Sequence, residues 1–184
     1  MYTRFIRLPR KFYERDTLAV GRELLGKILI RTLNSKQIAG KIVELECYKS
    51  HIDSGSYVKT KPHLAKPMFG RGGYSFITMV HGHTLLNIIT EKEGKAGAIL
   101  IRAIEPIFFR NAKLRTNGPA KLARAMAITK NLDGVDLTSS NELYVCFPKS
   151  SEKFETVASR RINVKDNKHL WRFYIKGNKY VSKK

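Results

Sequence analysis

Long apolar runs are missing from this 184-residue sequence, and so is any basic lead joined to an apolar stretch. The first absence removes a membrane-spanning helix, which needs about 20 consecutive apolar residues. The second gives no sign of a secretory leader. The expectation is a soluble protein of the bacterial cytoplasm or nucleoid, with no membrane partner. Cysteine is scarce: Cys47 and Cys146 lie far apart, each inside an apolar strand-like run. Two buried thiols are expected rather than a disulfide, and no Cys/His spacing resembles a zinc site. Acidic residues are the other shortage, 15 against 35 Lys+Arg, which leaves a formal net charge of +20. A field of that sign attracts polyanions, nucleic acid first.

Several chemistries are missing too. No Gly-x-x-x-x-Gly-Lys-Ser/Thr loop is present, and Gly70, Gly72 and Gly73 lead into a strand instead of joining a strand to a helix, so a nucleotide-triphosphate engine has no support. Without His-Glu-x-x-His, Cys-x-x-Cys or Gly-x-Ser-x-Gly, neither metal hydrolysis nor a serine nucleophile has support either. His81 and His83 lack a third ligand and read better as exposed polar residues than as a metal site. No metal and no cofactor is implied.

What is present suits one globular domain over residues 1–184. Apolar residues at 42% and charged ones at 27% are ordinary proportions for a folded chain of this length, and there is no internal repeat and no biased tract beyond a short basic tail. Asp16-Thr17 opens a helix that Gly26 stops. Residues 27–33 and 38–48 read as paired strands around a turn at Asn34-Ser35-Lys36. Residues 49–66 read as a polar loop, too long for a plain connector. Residues 74–80 and 84–90 form a hairpin with His81-Gly82-His83 at its tip. Residues 98–104 are a further strand whose Arg102, set among Ile99, Leu100, Ile101 and Ile104, needs an anionic or hydrogen-bonding partner. Pro119 starts a helix to about 127, and its backbone N–H groups, with Asn117, Gly118 and Lys121, are candidate contacts to a nucleic-acid backbone. Residues 143–147 and 170–175 complete the strands. The fold class is mixed α+β.

The most informative stretch is Lys41-Ile42-Val43-Glu44-Leu45-Glu46-Cys47-Tyr48. Alternation along a strand puts Val43, Leu45 and Cys47 on one face and Glu44, Glu46 and Tyr48 on the other. For a single Glu the ordinary reading is a solvated face. In a chain this basic, however, acids at a strand end would repel an anionic partner, and that cost asks for a reason.

Read in order, Glu44-Leu45-Glu46-Cys47-Tyr48, Met68-Phe69-Gly70, the run from His81 to Asn87, Ile101-Arg102-Ala103-Ile104-Glu105-Pro106, Asn117-Gly118-Pro119-Ala120-Lys121-Leu122 and Trp171-Arg172-Phe173 through Gly177-Asn178 give a series that resembles the alkyladenine type of DNA-3-methyladenine glycosylase. Each motif alone is weak, but together they cover nearly the whole chain. The resemblance implies a single mixed domain around a curved antiparallel sheet, with a protruding hairpin and flanking helices. It implies a monomeric, monofunctional enzyme of base excision repair that flips damaged purines (3-methyladenine and hypoxanthine class) out of double-stranded DNA. It also implies roles: Glu46 as the water-activating acid, Glu44 as its structural neighbour, Arg102 beside the reacting nucleotide, Tyr48 stacking on the extruded base and Asn87 in the base pocket. His81, with Val80 as the neighbouring candidate, falls at the place of an intercalating residue.

Two departures stand out. Tyr57 occupies the place of a pocket histidine, and Thr78 that of a second pocket aromatic, with Phe76 two residues earlier. Near the C-terminus, Ser159-Arg160-Arg161-Ile162-Asn163 replaces a segment that usually holds Pro and Gly, and reads only as added positive charge. The competing classes are a non-catalytic nucleic-acid-binding module and a ribosome-associated structural protein. Neither accounts for Glu46, Tyr48, Arg102 and Asn87 together.

Overall fold

A computed structural model describes residues 5–50, 52–109, 114–150, 152–165 and 168–183. Of the sequence readings, His51 in the polar loop and Lys184 in the basic tail lie outside these residues. The chain begins with a short helix, α1 (Arg10–Tyr13), and then α2 (Thr17–Leu24). Asp16 caps α2 as its sequence foretold, accepting from the N–H groups of Leu18 and Ala19, and Gly26 ends it at a φ of 78°. Strands β1 (Ile28–Leu33) and β2 (Lys36–Tyr48) follow, joined at Asn34 and Ser35, both at positive φ as a tight hairpin turn requires.

The segment read as a loop is structured. It carries α3 (Tyr57–Thr60) and two short 3-10 turns, Pro62–Leu64 and Lys66–Phe69. Strands β3 (Ser75–Val80) and β4 (His83–Ile89) make the expected hairpin, but His83 belongs to β4 and the turn is only His81-Gly82, with φ of 48° and 75°. A two-residue turn of this kind needs positive φ at both positions, which is why Gly follows the histidine. Then come β5 (Ala98–Phe108), longer than expected, and α4 (Pro119–Ala125). Strands β6 (Leu143–Cys146), β7 (Thr156–Ser159) and β8 (Arg172–Ile175) complete the chain.

The eight strands form one antiparallel sheet, in the order β3-β4-β5-β2-β1-β6, with β8 pairing both β2 and β7. Strand β2 organises it. One edge pairs with β5 along residues 39–48, while the other is shared by β1 on its first half and β8 at Glu44, Leu45 and Glu46. The β2–β5 register shifts on both sides of Glu44 and again near Gly40, and such bulges bend a strand and re-aim its side chains. The core lies on the face that carries Val43, Leu45 and Cys47, packed against α2 and α4. Both cysteines are free and buried. Among the described residues no helix is long and apolar enough to cross a membrane.

Candidate active site

On the opposite face of β2 the sheet curls around a cavity of about 480 Å³, within the ordinary range for a small-molecule pocket. Its walls are the end of β2 (Glu46, Tyr48), Tyr57 of α3, Phe76 and Thr78 of β3, Asn87 of β4, Arg102 of β5 and the first turn of α4. A second cavity, about 490 Å³, opens beside Lys41, Glu105 and Phe108, but its acids serve Lys41 in ordinary ion pairs. Of the two, only the first gathers a buried acid, arginine and aromatic rings.

Glu44 and Glu46 are both 0% exposed, so the solvated strand face does not exist. Burying a carboxylate is costly unless it is paired and hydrogen-bonded, and both are. Glu44 Oε1 accepts from Arg102 Nε (3.0 Å), Arg172 Nε (2.8 Å) and the Ser182 hydroxyl (2.9 Å), and Oε2 accepts from the Ser182 N–H at 2.5 Å. Every partner of Glu44 is an internal tie. Glu46 is held otherwise. Its Oε1 accepts from the Ile162 N–H at 2.7 Å and lies 3.2 Å from Arg102 Nη1, and its Oε2 accepts from the Tyr48 hydroxyl at 2.7 Å. Each carboxylate oxygen has two acceptor directions, so Oε2, with one bond among the described residues, has room for a water. Arg102 thus bridges the two acids, and of the anionic or hydrogen-bonding partners that its apolar surroundings called for it has anionic ones.

Burial first, then the charge and hydrogen bond of Glu46, push the Tyr48 hydroxyl well above its ordinary pKa. Tyr48 is therefore a protonated donor at neutral pH, with its ring on the cavity wall. Asn87 is oriented by its surroundings: Nδ2 donates to the Phe76 carbonyl (3.0 Å) and to Thr78 Oγ1 (3.1 Å). That leaves Asn87 Oδ1 as an acceptor and the Thr78 hydroxyl as a donor, neither with a further partner among the described residues. Two convergent polar groups on a wall of this kind can orient a bound ligand. Tyr57, also on the cavity wall, meets Phe76 edge to face, with centroids 6.2 Å apart.

His81 is exposed at the hairpin tip and, with Val80 and His83, forms the cavity rim. Asn117 makes an isolated bridge to Ala103, Gly118 is the residue before α4, and Lys121 is exposed. These three stand beside the cavity while Pro119 and Ala120 line it. Among the described residues, no group of three or more His, Cys, Asp or Glu is placed to hold a metal.

Sequence reasoning missed Asp53 and Arg161. Arg161 is not surface charge. It is buried, pairs with Asp53 through Nη2–Oδ1 (2.5 Å) and Nη1–Oδ2 (2.7 Å), and lies over the rings of Tyr48 and Trp171. Burial works against its charge, but the hydrogen bond and opposite charge of Asp53 outweigh that and raise its pKa. An acid inside a Gly/Ser stretch of a basic chain was the one available signal.

The profile of the methylpurine-DNA glycosylase family matches residues 11–179. The chain belongs to that family. Glycosylases of this kind are hydrolases of DNA repair, and so is this one, with DNA as its substrate. It is 42% identical to a protein of Clostridium novyi (strain NT), over 97% of this chain and 99% of the relative. It is 42% identical to one from Legionella pneumophila (strain Corby), over 96% and 98%, and 38% identical to one from Borrelia garinii subsp. bavariensis, over 96% and 100%. All three are provisionally named 3-methyladenine DNA glycosylase.

Proposed function

We propose that this methylpurine-DNA glycosylase extrudes an alkylated or deaminated purine, of the 3-methyladenine and hypoxanthine class, from duplex DNA and hydrolyses its bond to the sugar. The observation that carries this reading is the Glu46 carboxylate, fixed by Arg102, Tyr48 and the Ile162 amide at the floor of an aromatic-walled cavity. Breaking the bond from C1′ to the base leaves the electron pair on the base and a cation-like sugar. A water on Glu46 Oε2 gives its oxygen to C1′ and its proton to the carboxylate, and the carboxylate charge opposes that of the sugar cation. The carboxyl proton then passes to solvent, a base that was neutral in the lesion takes up a proton as it leaves, and the products are a free base and an abasic site.

The other residues take supporting roles. Tyr48 stacks on the extruded base, with Tyr57 across from it. Asn87 and Thr78 meet the edge of the base, and His81 fills the space left in the duplex. Asn117, Gly118 and Lys121 contact the DNA backbone next to the cavity. The walls of this cavity all come from one chain, as action by a monomer requires, and a bacterial chromosome as substrate would put the enzyme in the cytoplasm.

The test is incubation with a duplex carrying one hypoxanthine, then alkaline cleavage at abasic sites. Strand scission that depends on both lesion and protein is expected. Binding without scission, on hypoxanthine and on 3-methyladenine alike, would overturn the reading.

A further inference from the structure

Arg161 and Asp53 lie outside the cavity lining, yet they touch the catalytic floor on three sides. The Arg161 guanidinium grips both oxygens of Asp53, and both side chains are 0% exposed. Its Nη1 also donates to the Cys47 carbonyl at 2.9 Å, the backbone link between Glu46 and Tyr48. The guanidinium lies 4.7 Å from the centroid of the Tyr48 ring and 5.2 Å from that of Trp171. The next residue supplies the Ile162 N–H that binds Glu46 Oε1 at 2.7 Å. Asp53 is itself held by the N–H groups of Lys49 (3.0 Å) and Gly55 (2.9 Å), which tie down the segment leading to Tyr57. Three separate stretches of chain meet at one ion pair.

A buried ion pair is weak evidence of stability, because the cost of desolvating both charges offsets most of their attraction, and an apolar pair of similar volume often does as well. What an apolar pair cannot supply is direction. The planar fork fixes two carboxylate oxygens, a carbonyl and a ring face at once.

We propose that the buried Arg161–Asp53 pair is a positioning device for base release, setting the Ile162 amide against Glu46 and backing the Tyr48 ring, so that bond cleavage depends on it and DNA binding does not. The proposal rests on the catalytic role of Glu46 given above. Arg161 and Asp53 do not touch the substrate; they act through Glu46 and Tyr48.

The deciding variant is Asp53→Leu/Arg161→Met, which removes both charges together and keeps the volume filled, alongside Arg161→Lys, which keeps the charge but loses the fork. Thermal melting, duplex affinity and single-turnover release of hypoxanthine are measured for each. A displacement of catalytic groups by about 1 Å can cost 100-fold in rate, so a loss of about 30- to 100-fold is expected for the double variant, with melting near the parent's and affinity within about twofold. Arg161→Lys should lose less, about tenfold, again in rate and not in half-saturating DNA concentration. If the double variant does not fold, Arg161→Lys carries the test alone. Folded variants that release base within about threefold of the parent would reduce the pair to a structural tie and overturn the proposal. A parent that releases no base would instead overturn the catalytic reading of Glu46, and this proposal with it.

Discussion

Replacing Glu46 with Gln tests the chemistry at one atom. Two donors converge on Oε1, the Ile162 N–H at 2.7 Å and Arg102 Nη1 at 3.2 Å. An amide NH₂ cannot sit against either, so the glutamine must keep its oxygen there and place its nitrogen where Oε2 was. The Tyr48 hydroxyl, which donates to Oε2 at 2.7 Å, can turn and accept from the new NH₂. The hydroxyl proton then loses its acceptor, whereas both donors at Oε1 keep theirs and Arg102 keeps Glu44 as its counterion. The loss is one charge-assisted bond made neutral, about 2 kcal/mol, or a melting temperature lower by about 4–8 °C for a domain of this size.

The position that held the water acceptor now presents a donor, and no proton can be taken there. General-base assistance contributes typically about 10²–10⁴-fold, and loss of the charge opposing the sugar cation adds to that. Single-turnover release of hypoxanthine should fall by about 10³-fold or more, equivalent to about 4 kcal/mol in the barrier. Duplex binding should hold or tighten, since a like-signed neighbour of phosphate is gone. Release within about tenfold of the parent, in protein that melts and binds normally, would remove Glu46 from the mechanism.

Four further outcomes are expected. Duplex affinity should fall with salt at a log–log slope of about −0.9 per phosphate contacted, as the +20 charge implies, and a flat dependence would contradict electrostatic binding. His81→Ala should slow release most from a well-paired hypoxanthine and least from a mispaired one, because an inserted wedge offsets the cost of unstacking; equal losses on both duplexes would sink the wedge. Thr78→Val removes the free hydroxyl donor while Asn87 keeps the Phe76 carbonyl, and should cost about tenfold on neutral hypoxanthine. A cationic alkylpurine leaves as a neutral base and needs that donor less, so equal effects on the two substrates would refute the assignment. Burial opposes the charge of Asp136, but hydrogen bonds from Thr138 and the Arg10 charge outweigh it and hold its pKa below the ordinary value. Its contribution to stability is then complete above about pH 4 and is lost as the pH falls through the folded value, so Asp136→Asn should flatten the acid limb of the melting profile.

Where one short stretch of chain carries its own signal, the sequence was readable. Asp16 and Gly26 bracket α2 because capping and chain reversal are decided within a few residues. An arginine inside the apolar run of β5 called for an anionic or hydrogen-bonding partner for the same local reason, and two carboxylates meet it. Strand β7 was not readable: only four residues long, with none of them buried and paired to β8 alone, it has no apolar face to show. Nor was α3, since its capping Ser56 sits in a stretch rich in polar residues, where turns and short helices look alike. Arg161 failed differently. Its partner lies 108 positions away, and nothing local distinguishes a buried arginine from a solvated one.

The puzzle of acids in so basic a chain resolves in the same geometry. Glu44 and Glu46 are met by Arg102 and Arg172, two carboxylates against two guanidiniums, and Asp53 is met by Arg161. Both clusters are neutral as units, so the floor of the cavity does not repel an approaching phosphate, and the remaining Lys and Arg set the attractive field over the surface. Arg102, shared between the two acids, joins the tie that Glu44 makes inside the fold to the carboxylate of Glu46 at the cavity floor.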